Sequence, residues 1–471
     1  MTTDDDSAGA DSIPTACTSA ASPSTDGQRS RISAGDILRV PPIWILPIGI
    51  TGVLIVLMSF TYIGSVVNPA GHLSSLPVLV VDQDRGATTP AGTVNIGQNL
   101  VSELTHTPAV TSRLNLRVVS MAGAEQEMDR GAVFATLVVP STFSSSLVQL
   151  TGAQLRRPVP LPSLQLLANT RAGSIGVSLA DAVLTPAVSA ASSAVGKQLS
   201  ASASPAAQSD AANAALLANP ISLTMTPYRP LPDHTALGLS AFYIALLSIM
   251  CGFLGATVIN SSVDAALGYG ATEVGPKYRQ RKPLAIDRRE TLLIKWSMAT
   301  VISPILTALL LGVAVGILRM NAPHVASLWL FVSLAALTVA VGTLALYAAL
   351  GSLGQLVAMI FFIYLALASS GGTVPIQALP GFFRVVGQIE PLRLIVTGCR
   401  SILYFGARAG AGLSHSVVVI IAELGVWVAV GLAITTWYDR RKLYRLAPEV
   451  ITFVERAVEA QQAAAAVPPA G

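Results

Sequence analysis

Between Arg319 and Arg384 the chain carries no Lys, Arg, Asp or Glu. About twenty apolar residues are enough to cross a bilayer. The run therefore holds two spans, about 327–350 and 355–372, with GSLG as the turn between them. The composition agrees, at 52% hydrophobic and 11% charged with a mean hydropathy of +0.62. A soluble domain is roughly a quarter charged.

Four further apolar runs have spanning length. PPIWILPIGITGVLIVLMSFTYIGSVV, within 41–67, follows Arg29, Arg31 and Arg39. It is too long, and starts too far from the N-terminus, for a cleaved signal peptide, so it reads as an uncleaved anchor. The others are an uncharged run at 235–263, WSMATVISPILTALLLGVAVGIL between Lys295 and Arg319, and a last one at 414–437 before DRRKLYR. Six spans put both termini on one side, and charge says which. The N-terminal flank, the 264–295 loop and the C-terminal tail hold fifteen Lys and Arg, whereas the short loops on the other side hold five. Lys and Arg accumulate on the cytoplasmic side. The expected protein is an α-helical polytopic membrane protein of six spans in the plasma (inner) membrane, with both termini cytoplasmic. Residues 1–40 form a disordered cytoplasmic tail, 41–67 the anchor, 68–235 an extracytoplasmic domain inserted between spans one and two, 236–438 a five-span domain and 439–471 a cytoplasmic tail.

The inserted domain has nine basic and nine acidic residues and no cysteine. Short β-rich runs stand at 77–82, 114–120, 132–140, 163–168 and 221–226. Helical patterns fall between them at 94–104, 124–130 and 143–150, followed by an Ala- and Ser-rich segment at 172–218. That alternation predicts a mixed α/β domain. Pro186 and Pro205 argue against one unbroken rod in the Ala/Ser segment, whose low complexity also permits disorder.

Residues 373–412 are too apolar for open water and are broken by Gly371, Gly372, Pro375, Pro380, Gly381 and Pro391. Phe382, Phe383, Val386 and Ile389 are placed to line one face of a short helix. The segment fits a re-entrant hairpin covered by protein, and equally a helix lying flat in the interface.

The residues exclude several chemistries. No two of His72, His106, His234, His324 and His415 have metal-binding helical spacing. Cys17, Cys251 and Cys399 form no CxxC pair. No Lys precedes Ser or Thr, so there is no phosphate-cradling P-loop. No catalytic triad or carboxylate pair can be assembled, so neither an enzyme nor a bound metal or cofactor is expected. The basic stretch GPKYRQRKPLAIDRRE lacks the aromatic interleaving of a nucleic-acid arm. Asp82 and Asp84, ahead of Gly86, read as turn formers rather than metal ligands.

Glu423 is the one acid well inside an expected span. A lone carboxylate at mid-bilayer costs about 2.5–3.5 kcal/mol. It is therefore either a proton or substrate site or a structural carboxylate, protonated or paired with Arg393 or Arg400 from the 373–412 loop. Pro304 removes a helix hydrogen bond in its span and is a candidate gating kink or a packing feature. Gly252 with Gly255, Gly312 with Gly316, and Gly351 with Gly354 permit close helix contact, the middle pair with GxxxG spacing.

PVLVVDQDRGA directly after the anchor resembles the start of the outer domain of the YhgE/Pip (phage infection protein) family, to which the fungal nitrosoguanidine-resistance protein is related. GQNLVSEL and DRGAVFATLVVPSTFSSSL resemble its next two landmarks. The order of the later spans and the loop VPIQALPGFFRVVGQIEPLRLIVTGCRSILY resemble the permease of ABC type-2 exporters. The resemblance spans roughly residues 40–440. It implies outward movement of an amphiphilic, drug-like or cell-envelope molecule by a homodimer served by a separate ATPase subunit. Such permeases offer a short cytoplasmic helix between their second and third spans to the ATPase. Here Tyr269, Glu273, Lys277, Tyr278, Arg279, Arg288 and Arg289 occupy that place, unless the basic loop only sets topology. Two alternatives stand beside this reading. One is a proton-coupled exporter. The layout also matches half of a resistance-nodulation-division pump, but 327–350 holds Tyr347 and no acid, so Glu423 has to serve. The other is a non-transporting envelope receptor or secretion-complex subunit.

Overall fold

A computed structural model describes residues 41–89, 92–151, 162–203, 211–443, 445, 451–456 and 459. The expected tail 1–40 lies outside the described residues, as do 446–450 and 460–471. The chain divides into two compact units at Leu57/Met58. The described part of the first, 41–57, lies in helix α1, Pro41–Met58, which is uncharged and has Pro47 inside it.

In the second unit, five strands form one sheet: β1 Leu76–Asp82, β4 Leu114–Val118, β5 Ala135–Val139, β6 Ser163–Ala168 and β7 Ser222–Pro227, in the order β4-β1-β5-β6-β7. Only β5 and β6 pair antiparallel. These are the five runs expected from sequence, each within three residues at either end. Two short strands, β2 Ala87–Thr89 and β3 Gly92–Val94, form a separate hairpin. Alternation along β1 sends side chains to two cores. Leu76, Val78 and Val80 meet Leu100, Leu104, Phe143, Leu147, Val183 and Leu184. Leu79 and Val81 meet Ala124, Met128 and Val133. A strand covered on both faces needs a nearly continuous apolar run, and LPVLVV supplies it.

The first core is closed by α2 (Ile96–His106), α4 (Phe143–Gln149) and α5 (Ser174–Ser202), and the second by α3 (Met121–Asp129). Helix α5 runs unbroken through Pro186 but ends at Ser202, so the Ala/Ser segment is not one unbroken rod. Its buried face of Leu179, Val183, Leu184 and Val188 is held along the sheet, and tertiary packing offsets one lost hydrogen bond. The Ala/Ser segment stops at Ser202 and resumes as α6, Ala211–Ala218. Asp82 makes the expected turn, its Oδ1 accepting from Asp84 N at 2.9 Å. Asp84 does more. It accepts from Gly97 N at 3.1 Å and Ser144 N at 3.0 Å, and bonds the Ser144 hydroxyl, so one carboxylate caps α2 and α4 together.

The bundle contains α7 (Ser240–Ala266), α8 (Arg288–Leu311), α9 (Val325–Leu350) and α10 (Leu353–Met359). Helix α10 continues through a π-helical stretch to Ser369. After it come α11 (Gly381–Val386), α12 (Pro391–Tyr404) and α13 (Leu413–Arg440). Helix α9 is the hub, touching α7, α8 and α13. Gly252 lets α7 press onto the Ala336 carbonyl of α9, and Trp296 Nε1 donates to Val341 O at 3.2 Å. A Cβ added at Gly312 or Gly316 meets nothing within 4 Å, so that GxxxG pair makes no close contact among the described residues.

Six helices among the described residues are long and apolar enough to cross a membrane. They are not quite the expected six. Ser174–Ser202 qualifies, yet it packs on the sheet, and the expected fifth span is the shorter Leu353–Ser369. The 373–412 segment knits sheet and bundle together: Val374, Leu379 and Phe383 join the first sheet core, while Leu392, Ile395 and Cys399 join the bundle core. Its apolar residues do not share one face as expected. Phe383 is buried and Val386 half-buried, whereas Phe382 and Ile389 are exposed.

Candidate functional site

The end of the bundle where the 264–295 segment attaches carries a cavity of about 370 Å³. Helical spacing puts Asn260 and Asp264 one turn apart on α7, and Arg288, Thr291 and Lys295 on one face of α8. The start of α10 adds Ser352 and Gln355. Lys295 Nζ donates to Asn260 Oδ1 and to Asp264 Oδ1, both at 2.7 Å. Arg445 from the C-terminal tail grips both oxygens of Asp264 at 2.8 Å. The Lys295 side chain is only 7% exposed and that of Asp264 17%. A buried ammonium with such partners is a built feature, because desolvation otherwise opposes the charge.

A second contact set locks the tail in place. Asp439, near the end of α13, accepts from Arg288 N and Arg289 N, each at 3.0 Å. It thus supplies the acceptors for the open N–H groups at the start of α8. Arg288 Nε donates to Leu443 O at 2.8 Å, and its guanidinium lies 5.0 Å from the Tyr438 ring centre. Arg445 stacks 4.6 Å from the ring centre of Tyr269, whose hydroxyl donates to Leu284 O at 2.7 Å. Exposed Lys282 pairs with exposed Glu459 at 2.7 Å, which raises the lysine pKa and lowers that of the glutamate. With three cations and one carboxylate in its lining, the cavity suits a ligand bearing negative charge.

The residues expected from sequence are distributed unevenly around this site. Arg288 lines the cavity, Tyr269 stands behind Arg445, and Arg289 adds only its backbone N–H. The expected short helix is a β-hairpin instead, β8 Thr272–Val274 with β9 Lys277–Arg279. Gly275 at φ +57° makes its turn. Glu273, Tyr278 and Arg279 are exposed there. Asp264 and Lys295 were expected only as loop boundaries. Their shared signal was a charge at each end of one loop, which fits an ion pair as well as a topology marker.

Among the described residues neither Arg393 nor Arg400, the arginine partners considered for Glu423, pairs with it. Arg393 donates to Gly387 O at 3.4 Å and Arg400 to Gly372 O at 2.7 Å, so the broken backbone of the loop takes both. Glu423 accepts instead from Trp427 Nε1 at 3.3 Å. Glu390, an acid the sequence reading passed over, is fully buried, caps α12 through Leu392 N and Arg393 N, and lies close enough to feel the Glu423 charge. Glu before Pro at a helix start was the signal that could have found it. Pro304 sits half-buried in a continuous α8, its carbonyl accepting from Trp329 Nε1 at 3.0 Å. Among the described residues no group of three metal-ligating side chains converges.

Residues 48–432 match the family described as "Protein of unknown function (DUF3533)". No curated protein matches the chain. Among solved structures there is a likeness to a crystallised domain from Thermotoga maritima MSB8, provisionally described as part of an ABC type-2 transporter. It has 16% identity and a TM-score of 0.23, and covers 32% of this chain and 85% of that one.

Proposed function

The chain belongs to the DUF3533 family, and we propose that it is an export-type permease moving an amphiphilic, drug-like or cell-envelope molecule outward across the plasma membrane. The observation that carries this reading is the charged cavity at one end of a bundle of apolar helices. A receptor anchor needs no polar chamber between its spans, whereas a translocation path needs a mouth. The likeness of the outer-domain motifs to YhgE/Pip proteins supports it. With both termini cytoplasmic and 68–235 outside, the cavity is the inner mouth.

A separate ATPase docks on the exposed hairpin, with Glu273, Lys277, Tyr278 and Arg279 as its surface. Tyr269, Arg288 and Arg289 carry its movement toward Arg445, Asp264 and the cavity. Two copies form the complete pathway, and the open Gly312–Gly316 face suits a helix of the second copy. The buried Glu390 and the half-buried Glu423 favour proton coupling as the second reading.

Retention of an amphiphilic fluorescent dye in cells with and without the chain tests this. Expression lowers retention. The effect disappears when ATP is depleted with the proton gradient held, and in the variant Glu273→Ala/Tyr278→Ala/Arg279→Ala. Equal retention in both cell types refutes export of such molecules. Loss on collapsing the gradient with ATP maintained, together with failure of Glu423→Gln, replaces the ATPase by the proton.

A further inference from the structure

We propose that the trough between α2 and α5, on the sheet domain, binds a cationic amphiphile, its apolar body lying in the trough and its cationic head at Glu103. A cavity of about 590 Å³ lies there, walled by α2, the end of α4, the last turns of α5 and the β2–β3 hairpin. Its floor is the first sheet core itself, because Leu100 and Leu199, 2% and 7% exposed, line it. A second cavity of about 290 Å³, between the same two helices, shares Glu103 with the first. The sequence explains the space. Core side chains anchor both helices to the sheet, and helices side by side stand about 8–10 Å apart. At the gap α5 presents Ala187, Ala190, Ala191 and Ala194, whose single methyls leave it unfilled. Helix α5 is apolar enough to cross a membrane, yet only 44% of its most apolar stretch is buried. Open apolar surface of this kind marks a binding site. A protein partner needs about 800 Å² of surface on each side, whereas a trough within about 300–1,000 Å³ has the size of a small-molecule pocket.

Charge decides the class of ligand. Among the described residues lining the larger cavity, Glu103 is the one ionisable side chain, and it is exposed. Its backbone carbonyl accepts from Thr107 N at 2.9 Å and Thr107 Oγ1 at 2.7 Å. Its carboxylate has no hydrogen-bond or ion-pair partner among the described residues. Arg113 lines only the smaller cavity, so the larger one meets a carboxylate and no cation. An anionic head is repelled there. A cationic head gains Glu103 while its chain displaces water from Leu100, Val195 and Leu199. That the bound amphiphile is also the exported molecule rests on the function proposed above; the binding does not.

The test photolabels the full chain in phosphatidylcholine nanodiscs with diazirine-bearing dodecyl probes whose head is trimethylammonium, hydroxyl or sulfonate. Labelled peptides are mapped, and labelling is expressed relative to that of the bundle helices in the same sample, which cancels differences in partition into lipid. The trimethylammonium probe labels α2 and the last turns of α5 saturably, and unlabelled dodecyltrimethylammonium competes. The hydroxyl probe labels them about two- to fivefold less, the effect of an ion pair open to water, and the sulfonate probe labels them least. In Glu103→Gln the heads label alike. Ala194→Trp, a change at an exposed position, fills the trough and lowers labelling by every head. Absence of saturable labelling on α2 and α5 overturns the site. Equal labelling by ammonium and sulfonate in the native chain, or a head preference that survives Glu103→Gln, overturns the ligand class. Retention of an alkylammonium dye in cells separates the two readings. Saturable labelling with no effect of expression on retention keeps the site and refutes export. Lowered retention without labelling keeps export and refutes the site.

Discussion

Asp264 and Lys295 are not equivalent partners, and removing one should hurt far more than removing the other. Asp264 receives three charge-assisted bonds, one from Lys295 and two from Arg445. Asp264→Asn keeps the shape but deletes the only carboxylate of the cluster. The Lys295 ammonium, 7% exposed, is then left with amide oxygens. Breaking a buried pair this way costs about 3–5 kcal/mol. Lys295→Met keeps the aliphatic stem, and Asp264 stays bound to Arg445. Two charge-assisted hydrogen bonds go, to Asp264 and to Asn260, but the desolvation cost of the buried ammonium goes with them, so the net loss is about 1.5–3 kcal/mol. Adding Lys295→Met to Asp264→Asn removes the stranded charge. The double variant should therefore be more stable than Asp264→Asn alone, by roughly 1–3 kcal/mol, a coupling of the size expected between contacting residues. Reversible unfolding of the full chain in mixed micelles measures all three. Equal costs for the two single variants, or a double variant at the sum of both, refutes the argument that the lysine depends on the aspartate.

Asp84→Ala strips the cap from two helices and should cost about 2 kcal/mol in thermal unfolding, whereas Asp82→Ala, which loses one turn bond, stays below about 1 kcal/mol. Gly97→Ala should destabilise as well, because the new methyl comes within 2.8 Å of the Asp84 carboxylate. Gly252→Val forces α7 off the α9 backbone at a cost of about 1–3 kcal/mol. Gly312→Leu/Gly316→Leu leaves the fold of the single chain within about 0.5 kcal/mol but reduces cross-linking between tagged copies. Undiminished cross-linking removes the proposed dimer face.

The β-sheet was legible because strands buried on both faces announce themselves locally. PVLVVD and AVFATLVVP are continuous apolar runs bounded by turn residues, so neighbouring letters suffice. Pro186 does not interrupt helix α5, because a proline's local cost says nothing of the sheet waiting to bury the helix. The apolar runs marked the bundle but not its chemistry. Lys295 meets Asp264 across 31 residues, and Arg445 meets it across 181. A charge at a span's edge looks the same whether it faces water or a partner. The β8–β9 hairpin was missed because its strands of three residues are mostly polar and leave no hydrophobic period to read.

The bond from Arg288 N to Asp439 closes a gap of 151 residues. In a chain emerging from the ribosome, α8 is thus made long before its cap exists, and this end of the bundle stays unfinished until translation passes Arg445. A stop between Arg440 and Arg445 would yield a product with every long helix but without the Arg445 contact to Asp264. Reporter fusions for expression trials should accordingly be joined well downstream of Glu459, never at the close of the last helix.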